Sequence, residues 1–92
     1  GGRIDKVTDE EIIAAYQLLA KSDGIFVEPA SAAALAGVIR SQNEGAIPAG
    51  SLVVATMTGH GLKDPDNAIE NAGVEPVTLP ADLDAVKAAI GM

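Results

Sequence analysis

The chain has 92 residues, and its thirteen acidic against six basic side chains give a formal net charge of −7 with no basic cluster, which argues against a nucleic-acid partner. It holds no cysteine, which excludes disulfide frameworks and thiolate metal sites, and no apolar run approaches the roughly 18 residues of a membrane span. The apolar fraction is 48%, yet much of it is alanine and the aromatics are Tyr16 and Phe26 alone, so any core the chain builds by itself is thin.

In chain order, the first strong signal is Val7-Thr8-Asp9-Glu10-Glu11-Ile12. Thr8 reads as an N-cap, Glu11 as its capping-box partner three residues on, and Val7 with Ile12 as a hydrophobic staple. The helix is predicted to begin at Asp9. Ile12, Ile13, Tyr16, Leu19 and Ala20 then form an apolar stripe on one face, with Glu10, Gln17 and Lys21 directed elsewhere, and Gly24 ends the helix as a left-handed residue. Ile25-Phe26-Val27 is a short extended connector or strand, cut off by Pro29, which disfavours helical dihedrals at Glu28. Ala30 to Arg40 reads as an alanine-rich helix whose small face wants a tight partner, with Gly37 near its end. Ser41 to Gly50, with its Asn, Gly and Pro, is a loop.

Leu52 to Met57 is nearly continuous, apolar and rich in valine and threonine, and reads as a central strand buried on both faces, the kind found in parallel sheets. Thr58-Gly59-His60-Gly61 makes a turn at its carboxyl end, where ligands collect in open α/β sheets. Asp64 then reads as an N-cap with Pro65 at the first helical position. Pro65 to Asn71 is a short helix ended by Gly73. Val74 to Leu79, interrupted by Pro76, fits only an edge strand or an extended crossing. Leu83, Val86 and Ile90 mark a terminal helix with Asp82 and Asp84 in its first turn. The fold class is therefore α/β: about four helices around one central strand and one or two short edge strands.

Taken by itself, the loop after the central strand is either a tight turn or the wall of a site. His60, the single histidine, has no second histidine or cysteine beside it and reads as a solvent-facing loop residue, not a metal ligand. Lys63, in a polar loop just before a helix cap, reads as solvated or ion-paired. Glu28 and Ser31 flank a helix start, and capping by one of them would account for both.

Two stretches carry a resemblance: Gly24-Ile25-Phe26-Val27-Glu28-Pro29-Ala30-Ser31-Ala32-Ala33 and Met57-Thr58-Gly59-His60-Gly61-Leu62-Lys63-Asp64-Pro65. Together, in this order and separation, they resemble the C-terminal part of the threonine synthase family, pyridoxal-phosphate enzymes of the tryptophan-synthase-β-like fold. The resemblance covers essentially the whole chain. It implies that residues 1–92 are the C-terminal segment of a large cofactor-binding domain, incomplete by themselves, in a cytoplasmic enzyme that converts O-phospho-L-homoserine and water to L-threonine and phosphate. It further implies that the Thr58 hydroxyl faces the pyridine nitrogen, that Gly59 and Gly61 let the backbone run close to the ring, and that Lys63 is not the lysine holding the cofactor. That lysine and the glycine-rich phosphate loop come from upstream in the family.

The chain alone is then expected to be inactive, and to self-associate through an unpaired sheet edge and its alanine-rich helix. It begins without an initiator methionine and carries no signal peptide, as a processed product, an excised domain or the tail of a longer chain would. Two other readings stay open at this point. One is another enzyme of the same fold, such as a serine or threonine dehydratase or the tryptophan synthase β chain; the other is a small non-catalytic α/β interaction module.

Overall fold

Two fifteen-residue helices hold the chain's core: α1 spans Asp9–Asp23 and α2 spans Pro29–Asn43. The computed structural model describes residues 1–71, 73 and 76–92. After α2 come a loop, a segment without regular structure, a single 3-10 turn over Gly61–Lys63, α3 over Pro65–Asn71 and α4 over Leu83–Ala89.

Helix α1 starts where its capping box directs. The Thr8 hydroxyl accepts from the Glu11 N–H at 3.2 Å, and the Glu11 carboxylate reaches back to the Thr8 N–H at 3.4 Å. Two orphan donors of the first turn are satisfied reciprocally. Gly24 ends the helix at φ 66°, ψ 22°, with its N–H and that of Ile25 both directed to the Leu19 carbonyl. Helix α2 opens with Pro29 in its first turn after an extended Glu28. It runs three residues past the predicted Arg40, because Ser41, Gln42 and Asn43 are polar but still permissive of helix, and the turn comes only at Glu44 and Gly45. Gly37 thus lies inside the helix.

The two helices pack as a hairpin through small residues. Ala15, Tyr16 and Leu19 of α1 meet Ala32 and Ala36 of α2, with Val27 from the connector completing the buried set. Val7, Ile12, Leu35, Ile39 and Met57 pack around it. The alanine faces permit the close approach that the composition of α2 called for. The stripe on α1 is turned slightly from the one predicted: Ala15 takes a core place while Ala20 is exposed. Gln17 is also engaged, donating from Nε2 to the Asn71 carbonyl at 2.9 Å and tying α1 to α3.

No strand forms among the described residues, so the central and edge strands of the α/β expectation find no confirmation in the chain as it stands. Leu52 to Met57 takes no regular structure and joins no ladder among the described residues, with Leu52 95% and Val54 85% exposed. The physical reason is the absence of partners. A parallel strand satisfies its backbone donors and acceptors only through neighbours on either side, and none lies within these residues. Of the expected edge strand, Val74 and Glu75 lie outside the described residues, and Pro76 to Pro80 form no ladder. Among the described residues the one sheet-like pairing is an isolated antiparallel bridge between Val27 and His60.

Helix α3 begins at Pro65 as read, with the Asp64 carboxylate accepting from the Asn67 N–H at 3.4 Å. Helix α4 is capped by Asp82, which accepts from the Ala85 N–H at 3.0 Å and so precedes the first turn instead of lying in it. Its apolar residues Leu83, Val86 and Ile90 stay exposed. The radius of gyration, 16.8 Å, exceeds the value of about 12 Å for a compact domain of this length, as exposed tails and an unpartnered helix require. Among the described residues no helix is long and apolar enough to cross a membrane.

One ion pair ties the start of α1 to the end of α2. The Arg40 guanidinium contacts the Glu11 carboxylate and donates to the Lys6 carbonyl at 2.6 Å. Arg40, then the Thr8 hydroxyl and N–H, hold the Glu11 carboxyl below its ordinary range. A depressed carboxyl contributes stability that is fully present above its unfolded value, about 4.3, and is lost as pH falls through the lower folded value. Glu11→Gln removes that contribution at neutral pH. In far-UV circular dichroism the helix signal of Glu11→Gln is therefore expected to lie below the parent's at pH 7. The gap is expected to close as both are acidified from about pH 5 to pH 3. A gap of constant size through that window would show that the carboxylate charge does not matter to the hairpin.

Candidate functional site

Both sequence motifs meet at one place. The bridge between Val27 and His60 is made by two backbone bonds: the Glu28 N–H donates to the Gly59 carbonyl at 3.0 Å, and the Gly61 N–H donates to the Phe26 carbonyl at 3.2 Å. The loop after the apolar run thus lies across the entry to α2. Gly59 and Gly61 are needed for this approach. A Cβ on Gly59 would overlap the Glu28 carboxyl, and one on Gly61 would overlap the Phe26 ring. The glycines are explained by the chain's own packing before any ligand is considered.

Ser31 fastens the same junction from the first turn of α2. Its side chain is 3% exposed. Its Oγ accepts from the Gly59 N–H at 2.6 Å and lies 2.9 Å from the Thr58 Oγ1. Capping therefore does not explain Ser31, nor Glu28, whose carboxylate makes no cap bond. Pro29 in the first helical position leaves Glu28 outside the helix and counts Ser31 to the third residue within it. From there the hydroxyl points away from the orphan N–H groups it would have served. Its position after Pro29 was the available signal, and it was outweighed by the general preference of serine for caps.

The remaining polar side chains of the loop are His60 and Lys63. The His60 Nδ1 accepts from the Leu62 N–H at 3.1 Å, capping the 3-10 turn, and the ring meets Phe26 edge-on at 5.6 Å between centroids. Among the described residues no group of three His, Cys, Asp or Glu side chains gathers to hold a metal. Lys63 pairs with Glu28 at 3.4 Å, and its side chain is largely exposed. That exposure makes the pair weak, and its effect is to hold the Glu28 carboxylate beside Gly59.

What remains outward is Thr58. It stands exposed at the end of the apolar run, its hydroxyl held from behind by a buried serine and its neighbours flattened by two glycines. The prominent surface depressions lie elsewhere, one beside Arg3, Lys6 and Ile47 and another along Ala14, Leu18 and Ile39. Neither of these depressions is lined by Thr58, Gly59 or Gly61.

The family model described as pyridoxal-phosphate dependent enzyme matches residues 1–59, ending within the loop. Threonine synthase of Halalkalibacterium halodurans is 50% identical over 93 residues, covering 97% of this chain and 26% of that protein. Threonine synthase of Mycobacterium leprae is 51% identical over 85 residues, covering 92% of this chain and 23% of that protein. In Methanocaldococcus jannaschii the corresponding threonine synthase is 49% identical over 87 residues, covering 95% and 21%. The chain thus spans about a quarter of the length of the curated relatives it matches. Since the family model covers well over half of its residues, the chain belongs to the pyridoxal-phosphate dependent enzyme family.

Proposed function

We propose that the chain is the C-terminal part of a threonine synthase, contributing one wall of an active site in which O-phospho-L-homoserine and water become L-threonine and phosphate. The observation that carries this reading is identity near 50% to threonine synthases over nearly all of the chain. The meeting of the two motifs around Thr58 supports it. So does the exposed 52–57 run, which has the composition of a parallel strand and lacks only its neighbours. In the parent it becomes a central strand of the large domain of a tryptophan-synthase-β-like fold, with residues 1–92 as the last segment of that domain. The expected compartment is the cytoplasm, and the expected ligands are small molecules, not nucleic acid or lipid.

The residues present fit pyridoxal phosphate on one point of chemistry. A pyridine nitrogen is an acceptor, and Thr58, an exposed residue, carries a neutral hydroxyl hydrogen-bonded to the buried Ser31. When bound, the cofactor supplies an electron sink for negative charge developing on substrate carbons. Thr58 would hold the ring nitrogen by donating to it without transferring a proton, as an aspartate would not. Gly59 and Gly61, seated on Glu28 and Phe26, keep the loop flat so that its backbone can line the ring edge. Lys63, which pairs with Glu28 at 3.4 Å, would not be the residue that holds the cofactor covalently.

Assay of the full-length parent tests the reading. With O-phosphohomoserine it is expected to release phosphate and form threonine in equal amounts, with no 2-oxo acid from threonine or serine. Formation of a 2-oxo acid from either amino acid, with no phosphate released from O-phosphohomoserine, would place the parent among the dehydratases instead.

A further inference from the structure

Which way the Thr58 hydroxyl points its hydrogen is decided by Ser31. The Ser31 Oγ carries one hydrogen and already accepts from the Gly59 N–H at 2.6 Å, a donor whose direction the backbone fixes. Its one other hydrogen-bond partner among the described residues is the Thr58 Oγ1 at 2.9 Å. Were Thr58 to donate to Ser31, the Ser31 hydrogen would be left without an acceptor in a side chain only 3% exposed. Leaving a buried donor unmade is costly. Thr58 is exposed and has no such constraint. The bond therefore runs from Ser31 to Thr58, and the Thr58 hydrogen is directed outward.

We infer that Ser31 is a positioning residue that sets the Thr58 hydroxyl as an outward donor, through a chain running from the Gly59 N–H to Ser31 to Thr58 and on to an acceptor on the ligand. Each hydroxyl in such a chain accepts on one side and donates on the other, so each bond strengthens the next. The ligand class selected is a ring or group presenting an unprotonated acceptor; a protonated ring nitrogen would meet the hydrogen of Thr58 with its own. This rests on the reading of Thr58 as the partner of the cofactor's ring nitrogen, and adds how that donor is made.

A double-mutant cycle in the full-length holoenzyme tests it, with the cofactor dissociation constant and the cofactor absorption spectrum as readouts and the melting temperature of the cofactor-free protein as a folding control. Ser31→Ala is expected to weaken cofactor binding roughly threefold to tenfold where Thr58 is present. In the Thr58→Val background it is expected to change binding by less than about twofold, because the donor it directs is gone. Ser31→Thr, which keeps a hydroxyl able to accept and donate, is expected to restore binding. If Ser31→Ala does not yield folded protein, Ser31→Cys replaces it in the same cycle, since a thiol of similar shape is a poor donor and acceptor. Equal weakening in both backgrounds, or no weakening beside Thr58, overturns the role given to Ser31 and leaves Thr58 untouched. No effect of Thr58→Val by itself overturns the reading of Thr58, and the role of Ser31 with it.

Discussion

Purified by itself, the 92-residue chain is expected to retain no pyridoxal phosphate through desalting and to form no threonine from O-phosphohomoserine. Covalent retention needs a lysine amine in a desolvated setting facing the cofactor's aldehyde. Lys6, Lys21, Lys63 and Lys87 are all exposed. A single wall also leaves the phosphate group and the opposite ring face in water, where one hydroxyl contact is too little to hold a ligand. The same preparation is expected to sediment as a dimer or larger. Leu52, Val54, Leu83 and Ile90 lie exposed, and the unpaired 52–57 backbone is a template for pairing with a second copy. A visible absorbance that survives desalting and vanishes on borohydride reduction, or threonine above a blank, would contradict this. It would move the covalent bond onto one of the chain's own lysines, with Lys63 the first to test. A monomer at low micromolar concentration would show instead that the chain covers its own apolar run.

How much of this was legible before any coordinates depended on how local the cause was. The start of α1 was written in Thr8 and Glu11, its end in Gly24, and the start of α3 in Asp64 and Pro65, because caps and turns are settled by residues three or four apart. Helix α2 runs three residues past the end that the sequence suggests, since Gln42 is a good helix former and carries the weaker Ser41 and Asn43 along. The strand over Leu52 to Met57 has the right composition but no ladder, for a strand is a property of its neighbours as much as of its residues.

The site divided along the same line. Thr58, Gly59 and Gly61 stood out by their place after an apolar run, yet what the glycines accommodate, Glu28 and Phe26, is some thirty residues away in sequence and was visible only in three dimensions. For Glu28 and Ser31 the sequence offers capping by one of the two, whereas Ser31 is the buried partner of Thr58 and Gly59, a contact between the two motifs that neither motif announces.

In the full-length parent, Thr58→Val is expected to weaken cofactor binding roughly fivefold to 150-fold, the loss that corresponds to about 1–3 kcal/mol for an acceptor left unpaired in a partly desolvated site. Valine keeps the branched shape, so the loop over Gly59 and Gly61 should hold its course and only the donor is removed. Thr58→Ser keeps a hydroxyl within reach of Ser31 and is expected to stay within about threefold of the parent. Thr58→Asp reverses the chemistry. A carboxylate there holds the ring nitrogen protonated, which strengthens the electron sink and shifts the cofactor absorbance to longer wavelength, altering the partition between threonine and side products. The most direct measurement is the cofactor dissociation constant of Thr58→Val beside that of Thr58→Ser, taken by equilibrium dialysis on folded apoenzyme. Weaker binding in valine alone is the result expected of a hydroxyl donor to the ring nitrogen. Equal, parent-like binding in both variants would make Thr58 a turn residue at the end of an apolar run and would remove the cofactor from this wall.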